Sequence, residues 1–184
     1  MLAELITPPI VEPFTLADLK DALRIDHSDD DALVMTLGET ARRVVERRLS
    51  HAVSEQTWRL TLSPPPTATV TLRPGNVISI SGVELIYGEE PPVPSTDWSW
   101  RRGFPSCFAL EAPRTANGDL LNEVQITFIA GRSDVSTTPS DLVQAITLLT
   151  AHYYEQREVV SEGRYVPIPV GVESILQTLR EVQL

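Results

Sequence analysis

The sequence predicts an α+β fold: a helical bundle from the N- and C-terminal helices, with a small antiparallel β subdomain inserted between them. Three observations predict it. Apolar residues recur with a helical spacing before His51, alternate with polar ones from Gln56 to Gly131, and return to a helical spacing after Ser140. Helices and strands are thus segregated along the chain, which argues against a wound βαβ sheet. No internal repeat interrupts the pattern. With 184 residues the chain is long enough for a core without disulfides or metal staples. The expected organisation is an extended arm at 1–13, one domain at 14–180 and a tail at 181–184. Within the domain, helices fall at 16–24, 29–49, 141–157 and 171–181, and the β subdomain at 55–131.

Each element has a local cause. Pro8, Pro9 and Pro13 hold the arm extended and remove amide donors. Thr15 is placed as an N-cap with Asp18 three residues on, and Leu16, Leu19 and Leu23 give the first helix its spacing. Ser28-Asp29-Asp30-Asp31 then puts a cap and three acids where a helix dipole favours negative charge. Leu33, Val34, Leu37, Ala41, Val44, Val45 and Leu49 mark one face of the long helix that follows, with Arg42, Arg43, Arg47 and Arg48 opposite.

Trp58, Leu60 and Leu62 alternate with Thr57, Arg59 and Thr61, the pattern of a half-buried strand. Pro64-Pro65-Pro66 ends it. Further strands are expected at 68–73, 77–80, 83–87, 107–111 and 123–130, with Ser81-Gly82 as a hairpin-like break. Residues 88–105 read as a long surface loop holding a short strand near 97–100. After Gly131, Ser140 is placed to cap a helix that is apolar on nearly every side, through Leu142, Val143, Ala145, Ile146, Leu148, Leu149, Ala151, Tyr153 and Tyr154. Such a helix is central to a core or to a subunit interface. Val172, Ile175, Leu176 and Leu179 line one side of the last helix.

Composition excludes several function classes. The net charge of -10 repels a phosphate backbone over most of the surface. The single cysteine, Cys107, rules out an intrachain disulfide and a cysteine-based zinc site, and its apolar surroundings predict a buried, inert thiol. No apolar run is long enough to cross a membrane, and the N-terminus lacks the basic segment of a secretory signal. Asp29-Asp30-Asp31 lacks the alternate spacing, turn glycine and distal glutamate of a calcium loop. His152 and Glu155 have a spacing used in carboxylate metal sites, but no second Glu-x-x-His accompanies them. No nucleophile elbow, P-loop or dinucleotide fingerprint is present. No catalytic residue, metal ligand or cofactor is therefore assigned. The arginine ridge reads either as a solvated face paired with Glu39 and Glu46 or as a subunit interface, ahead of a nucleic-acid surface.

Four stretches, in order, carry a resemblance. They are Pro8-Pro9 with Glu12-Pro13-Phe14-Thr15-Leu16-Ala17-Asp18-Leu19-Lys20 and the following Leu23-Arg24-Ile25-Asp26; Glu46-Arg47-Arg48-Leu49-Ser50 with Gln56-Thr57-Trp58; Val124 to Gly131 leading into Pro139-Ser140-Asp141-Leu142; and Ala151-His152-Tyr153-Tyr154-Glu155-Gln156-Arg157-Glu158. From about residue 6 to 180 the chain resembles the head–tail connector, or adaptor, proteins of long-tailed phages, prophages and gene transfer agents. Ser50 stands where such proteins often have glycine.

The resemblance implies a non-enzymatic subunit of a ring, commonly of twelve copies. That ring sits between the portal and the next neck, stopper or tail component and extends the DNA channel without gripping the duplex. It implies a place in the neck of a virion or phage-like particle, assembled in the host cytoplasm. A stopper or tail terminator, a small hydrolase and a nucleic-acid-binding module are the alternatives. On this reading the candidate portal-binding residues are Val172, Ile175, Leu176, Leu179, Arg180, Val182 and Leu184. The candidate subunit-interface residues are Arg42, Arg43, Arg47, Arg48, His152, Tyr153, Glu155 and Arg157. The arm and segment 172–184 are expected to order on binding.

Overall fold

The computed structural model describes residues 1–103, 106–111, 115–116, 119–156 and 168–181. The chain divides into two compact units, one of Met1–Val11 with Ser50–Ser133 and one of Glu12–Leu49 with Asp134–Leu184. The first holds the strands and the second the helices, as the segregated sequence pattern requires.

In the helical unit, α1 (Leu16–Leu23) begins with the predicted capping box. The Asp18 amide donates to Thr15 Oγ1 at 3.1 Å and the Thr15 amide to Asp18 Oδ2 at 2.9 Å, so two otherwise unpaired donors are satisfied. The Thr15 hydroxyl, which donates to Asp18 Oδ2 at 2.7 Å, and then the Thr15 amide hold the Asp18 carboxyl below its usual range. Arg24 ends the helix in the left-handed region at φ 57°. Helix α2 (Asp31–Leu49) packs against α1, α3 (Ser140–Glu155) and α4 (Val170–Glu181). Val34, Ala41, Val45 and Leu49 are buried at the predicted spacing, joined by Leu142, Ala145, Ile146, Leu149, Val172 and Leu176. Gly38 lies under Phe14 and Leu19; a Cβ there would stand 2.8 Å from Leu19 Cδ1 and from the Phe14 ring, so any larger residue would push those side chains aside. The Tyr154 hydroxyl donates to Asp30 Oδ2 at 2.7 Å, and Lys20 Nζ pairs with Asp31 Oδ1 at 2.7 Å.

Three helical expectations change. Ser140 is the first residue of α3, and Pro139 precedes the helix without a side-chain cap. Proline's fixed φ already points the chain into the helix, and its carbonyl accepts from the Leu142 amide at 3.0 Å. Leu33, placed on the apolar face of α2, is exposed, while Arg42, placed opposite, is buried. Residues 170–181 are already helical as α4.

In the β unit, one sheet has the order β1-β2-β9-β4-β5, with β8 also pairing β9. Its strands are β1 (Leu2–Thr7), β2 (Gln56–Leu62), β4 (Val77–Tyr87), β5 (Val93–Pro94), β8 (Thr115–Ala116) and β9 (Asp119–Ala130). A second sheet joins β3 (Val70–Thr71), β7 (Cys107–Leu110) and β6 (Trp98–Arg101). The pairings between these strands are antiparallel, and isolated parallel bridges join His51 to Gly75 and Ser54 to Arg132. The core is the face of Leu60, Leu62, Val83, Leu85, Val124, Ile126 and Phe128, closed by Leu72 and Phe108. The Trp98 ring stacks on Phe108 with centroids 6.1 Å apart.

Ser81-Gly82 does not break the chain into two strands. The strand β4 runs through it with a register shift between Ile80 and Gly82, and Ser81 Oγ donates to the Thr127 carbonyl at 3.1 Å. An extra residue absorbed as a bulge keeps the ladder intact. The arm is more than an extended tether, since Leu2–Thr7 is a paired strand on β2. After β9, Gly131 takes φ 112°, and a Cβ there would fall 2.0 Å from the Ser54 carbonyl oxygen, so no other residue fits this crossing.

Candidate functional site

The helical unit presents the sequence-predicted interface residues in two states. Arg42 is 2% exposed and fully engaged inside its own unit. Its Nε meets Glu12 Oε2 at 2.6 Å and its Nη1 meets Glu46 Oε2 at 2.5 Å, one guanidinium fork spanning two carboxylates. Arg43, Arg47 and Arg48 stay on the surface. Arg43 reaches Glu39 only at 3.6 Å, and Arg48 reaches Glu173 at 4.0 Å. The exposed ridge is therefore Arg43, Arg47 and Arg48, and Arg42 is a structural clasp on the segment that leads into α1.

On α3, His152 and Tyr153 are half-buried with ring centroids 6.1 Å apart, and Glu155 is exposed. The buried His152 Nε2 has no hydrogen-bond partner among the described residues. Leu142, Ala145, Ile146 and Leu149 occupy the inward face of the helix, while Leu148 is exposed and Val143, Thr147 and Ala151 are half-buried. An apolar second side thus remains after the chain has packed its own core. Arg157 lies outside the described residues.

The candidate portal-binding residues also divide. Val172 and Leu176 are buried in the helical unit. Ile175 and Leu179 are half-buried. Arg180 belongs to the last turn of α4, and Val182 and Leu184 lie outside the described residues. The amphipathic face of α4 mainly serves its own bundle.

Among the described residues, the β unit has open clefts of about 530 and 520 Å³. The first is walled by Pro91, Pro92, Val93 and Pro94, and the second by Arg59, Ser81, Thr127 and Trp98. No histidine or cysteine is among the residues that line either cleft. Cys107 is half-buried on β7 rather than buried. His51 is held below its ordinary value of 6.5, first by burial and then by the positive charge of Arg132. Burial also lowers Arg132. Among the described residues, no group of three or more His, Cys, Asp or Glu side chains converges as a metal site. No helix of the described residues is long and apolar enough to cross a membrane.

Sequence reasoning missed Glu12 as the partner of Arg42. The i,i+4 spacing signalled Glu46, but nothing local signals a carboxylate thirty residues upstream. It also missed Asp30 as the acceptor for Tyr154, a contact spanning 124 residues.

Comparison with known structures finds matches over almost the whole chain. One chain from the neck of an empty gene transfer agent particle, computed with C6 symmetry, aligns with a TM-score of 0.78 and 23% identity, covering 98% of this chain and 95% of that one. A chain of the native gene transfer agent virion aligns at 0.75 with 26% identity, with the same coverage. This chain has the build of a gene-transfer-agent neck protein. A chain from the native neck, computed with C12 symmetry, agrees at a TM-score of 0.73 and 26% identity over 98% and 95% of the two chains. Neither known protein families nor curated proteins give a match. The resemblance of the four sequence stretches and the likeness of fold point to the same class of structural neck protein.

Proposed function

We propose that this protein is the adaptor of a phage-like particle. In this role it forms a closed ring between the portal and the next neck or tail component and continues the DNA channel. The likeness over 98% of the chain to a chain from the neck of a native gene transfer agent particle, computed with C12 symmetry, carries the proposal. A ring closes through heterologous, head-to-tail contacts, so each copy needs two different surfaces that its own fold leaves uncovered. The second side of α3, with Leu148, Ala151 and His152, and the ridge of Arg43, Arg47 and Arg48 supply candidates for them. Exposed arginines suit contact with the acids of a neighbouring copy in a chain of net charge -10. The same charge makes a channel wall that guides DNA by repulsion. Portal contact is assigned to Ile175 and Leu179 with the C-terminal Val182 and Leu184, because Val172 and Leu176 already serve the bundle.

The test is co-expression with the portal protein of the same gene neighbourhood, followed by size-exclusion chromatography with light scattering. The expected product is a portal complex whose added mass corresponds to a ring of this chain, and which is lost when residues 182–184 are deleted. Because α4 keeps Val172 and Leu176, the truncated chain is expected to stay folded. Failure of the full chain to co-purify with the portal would overturn the adaptor assignment.

A further inference from the structure

Charge in the helical unit is separated by sign along α2. At the N-terminal end, residues 18–31 carry Asp18, Asp21, Asp26, Asp29, Asp30 and Asp31 against Lys20 and Arg24. Half of these acids are engaged inside the chain: Asp18 in the capping box, Asp30 by the Tyr154 hydroxyl and Asp31 by Lys20. Asp21, Asp26 and Asp29 are exposed, and among the described residues no hydrogen bond or ion pair engages their side chains. At the C-terminal end the signs reverse. Arg42 is enclosed by Glu12 and Glu46, and Arg43, Arg47 and Arg48 are exposed.

The chain's own electrostatics do not account for this acidic end. A helix dipole favours negative charge in a first turn and disfavours it in a last turn. Asp21 stands in the last turn of α1, and Asp26 lies between α1 and α2. Nor can the two ends of α2 neutralise one another. The helix rises about 24 Å from Asp31 to Arg47, three times the screening length of about 8 Å at physiological salt. The contacts that the ridge makes at home are long, 3.6 Å from Arg43 to Glu39 and 4.0 Å from Arg48 to Glu173. Exposed pairs at such distances contribute little.

We propose that the arginine ridge of one copy docks on the Asp21, Asp26 and Asp29 edge of a second copy of this chain. The proposal rests on the ring reading above and names the surface that the ridge meets. The second copy is identified by its complementary patch. Two patches of opposite sign, held apart at the ends of one helix, cannot meet in one molecule and can meet between two. The contact uses a different surface on each side, so it is heterologous, and repeating it with a rotation closes a ring. Each copy then gives its arginines to one neighbour and its aspartates to the other. Guanidinium forks pair bidentately with carboxylates, which suits arginine to this edge. Elsewhere the net charge of -10 opposes the approach of two copies, so attraction is concentrated where the exposed cations cluster.

The test co-expresses two full-length variants with the portal, singly and together. One carries Arg43→Glu and Arg47→Glu, the other Asp21→Arg and Asp26→Arg. All four side chains are exposed, so each isolated variant is expected to melt within about 4 °C of wild type. Alone, each is expected to lower the yield of assembled ring by on the order of tenfold or more. Together they are expected to recover to within about threefold of wild type, because each reversed surface then meets a reversed complement. The recovered rings should hold the two variants in equal amounts by mass spectrometry. The milder Arg47→Gln and Asp26→Asn, which keep the fold if a reversal does not, are each expected to reduce ring yield severalfold. Either reversed variant forming rings at wild-type yield, both neutral variants doing so, or no recovery in the mixture would overturn the contact while leaving the adaptor reading in place. Absence of recovery would give the ridge to the portal or another protein. A wild-type chain that forms no ring would remove the adaptor reading and this contact together.

Discussion

Strands β9 and β1 belong to one sheet and are treated oppositely by the chain. In β9, Val124, Ile126, Phe128 and Ala130 are fully buried, and their polar neighbours alternate with them. In β1 every residue is exposed, apolar ones included. Helix α2 repeats the contrast on a smaller scale: Arg42 is enclosed by Glu12 and Glu46, while Arg43 one residue on is 57% exposed. Residues that the chain buries lie beside residues of the same type that it leaves exposed. Apolar character or positive charge alone does not tell the two kinds apart; the position of the element in the assembled sheet or bundle does.

The largest effects should come from attacking the enclosed residues. Phe128→Ala, in the centre of the β core, is expected to cost about 3–5 kcal/mol in urea unfolding, whereas Leu2→Ala on β1, where the side chain is 67% exposed, stays within about 0.5 kcal/mol. A cost above about 2 kcal/mol for Leu2→Ala would show that β1 belongs to the chain's own core and would dissolve the contrast. Next comes the arginine pair. Arg42→Ala leaves two carboxylates facing each other in a largely buried site and is expected to cost about 3 kcal/mol, while Arg43→Ala is expected to change stability by less than about 0.5 kcal/mol. Equal effects at the two positions would place the clasp elsewhere.

A smaller effect follows from His51. Its folded pKa lies below 6.5, so the unfolded chain binds the proton more readily. The stabilisation is fully present above about pH 6.5 and is lost as pH falls through the folded value. Thermal melting between pH 7.5 and 5 should show a falling midpoint in wild type and a flatter profile in His51→Gln. A wild-type profile no steeper than that of the variant would exclude this group. The smallest expected change is a gain. Ser50, directly after α2, has φ 54°, a left-handed conformation that glycine adopts without strain. Ser50→Gly should raise stability by about 0.5–1 kcal/mol, and a loss of stability would mean that the serine side chain contributes more than its backbone strain costs.

Much of the fold was legible because its causes are local. Thr15 and Asp18 form the capping box that their spacing announces, and the alternation from Glu123 to Ala130 is the central strand β9. The features that escaped are non-local. The pairing of Leu2–Thr7 with β2 depends on residues fifty or more positions away, and Pro8-Pro9 signals only that the chain is extended there. Ser81-Gly82 has the composition of a turn, but the Thr127 carbonyl on β9 accepts the Ser81 hydroxyl and the strand continues. The candidate assembly residues were legible as types and not as states. An amphipathic face on α4 is the same pattern whether it meets a partner or its own bundle, and only packing shows that Val172 and Leu176 are used within the chain.

The central claim is that the surfaces left uncovered by this fold are those of a ring seated on a portal. The most direct measurement is negative-stain imaging of the complex purified through a tag on the portal protein, after co-expression with the untagged full-length chain. The account predicts class averages in which an additional closed ring lies coaxially below the portal. Bare portal rings, with this chain recovered only as a separate monomer, would contradict it.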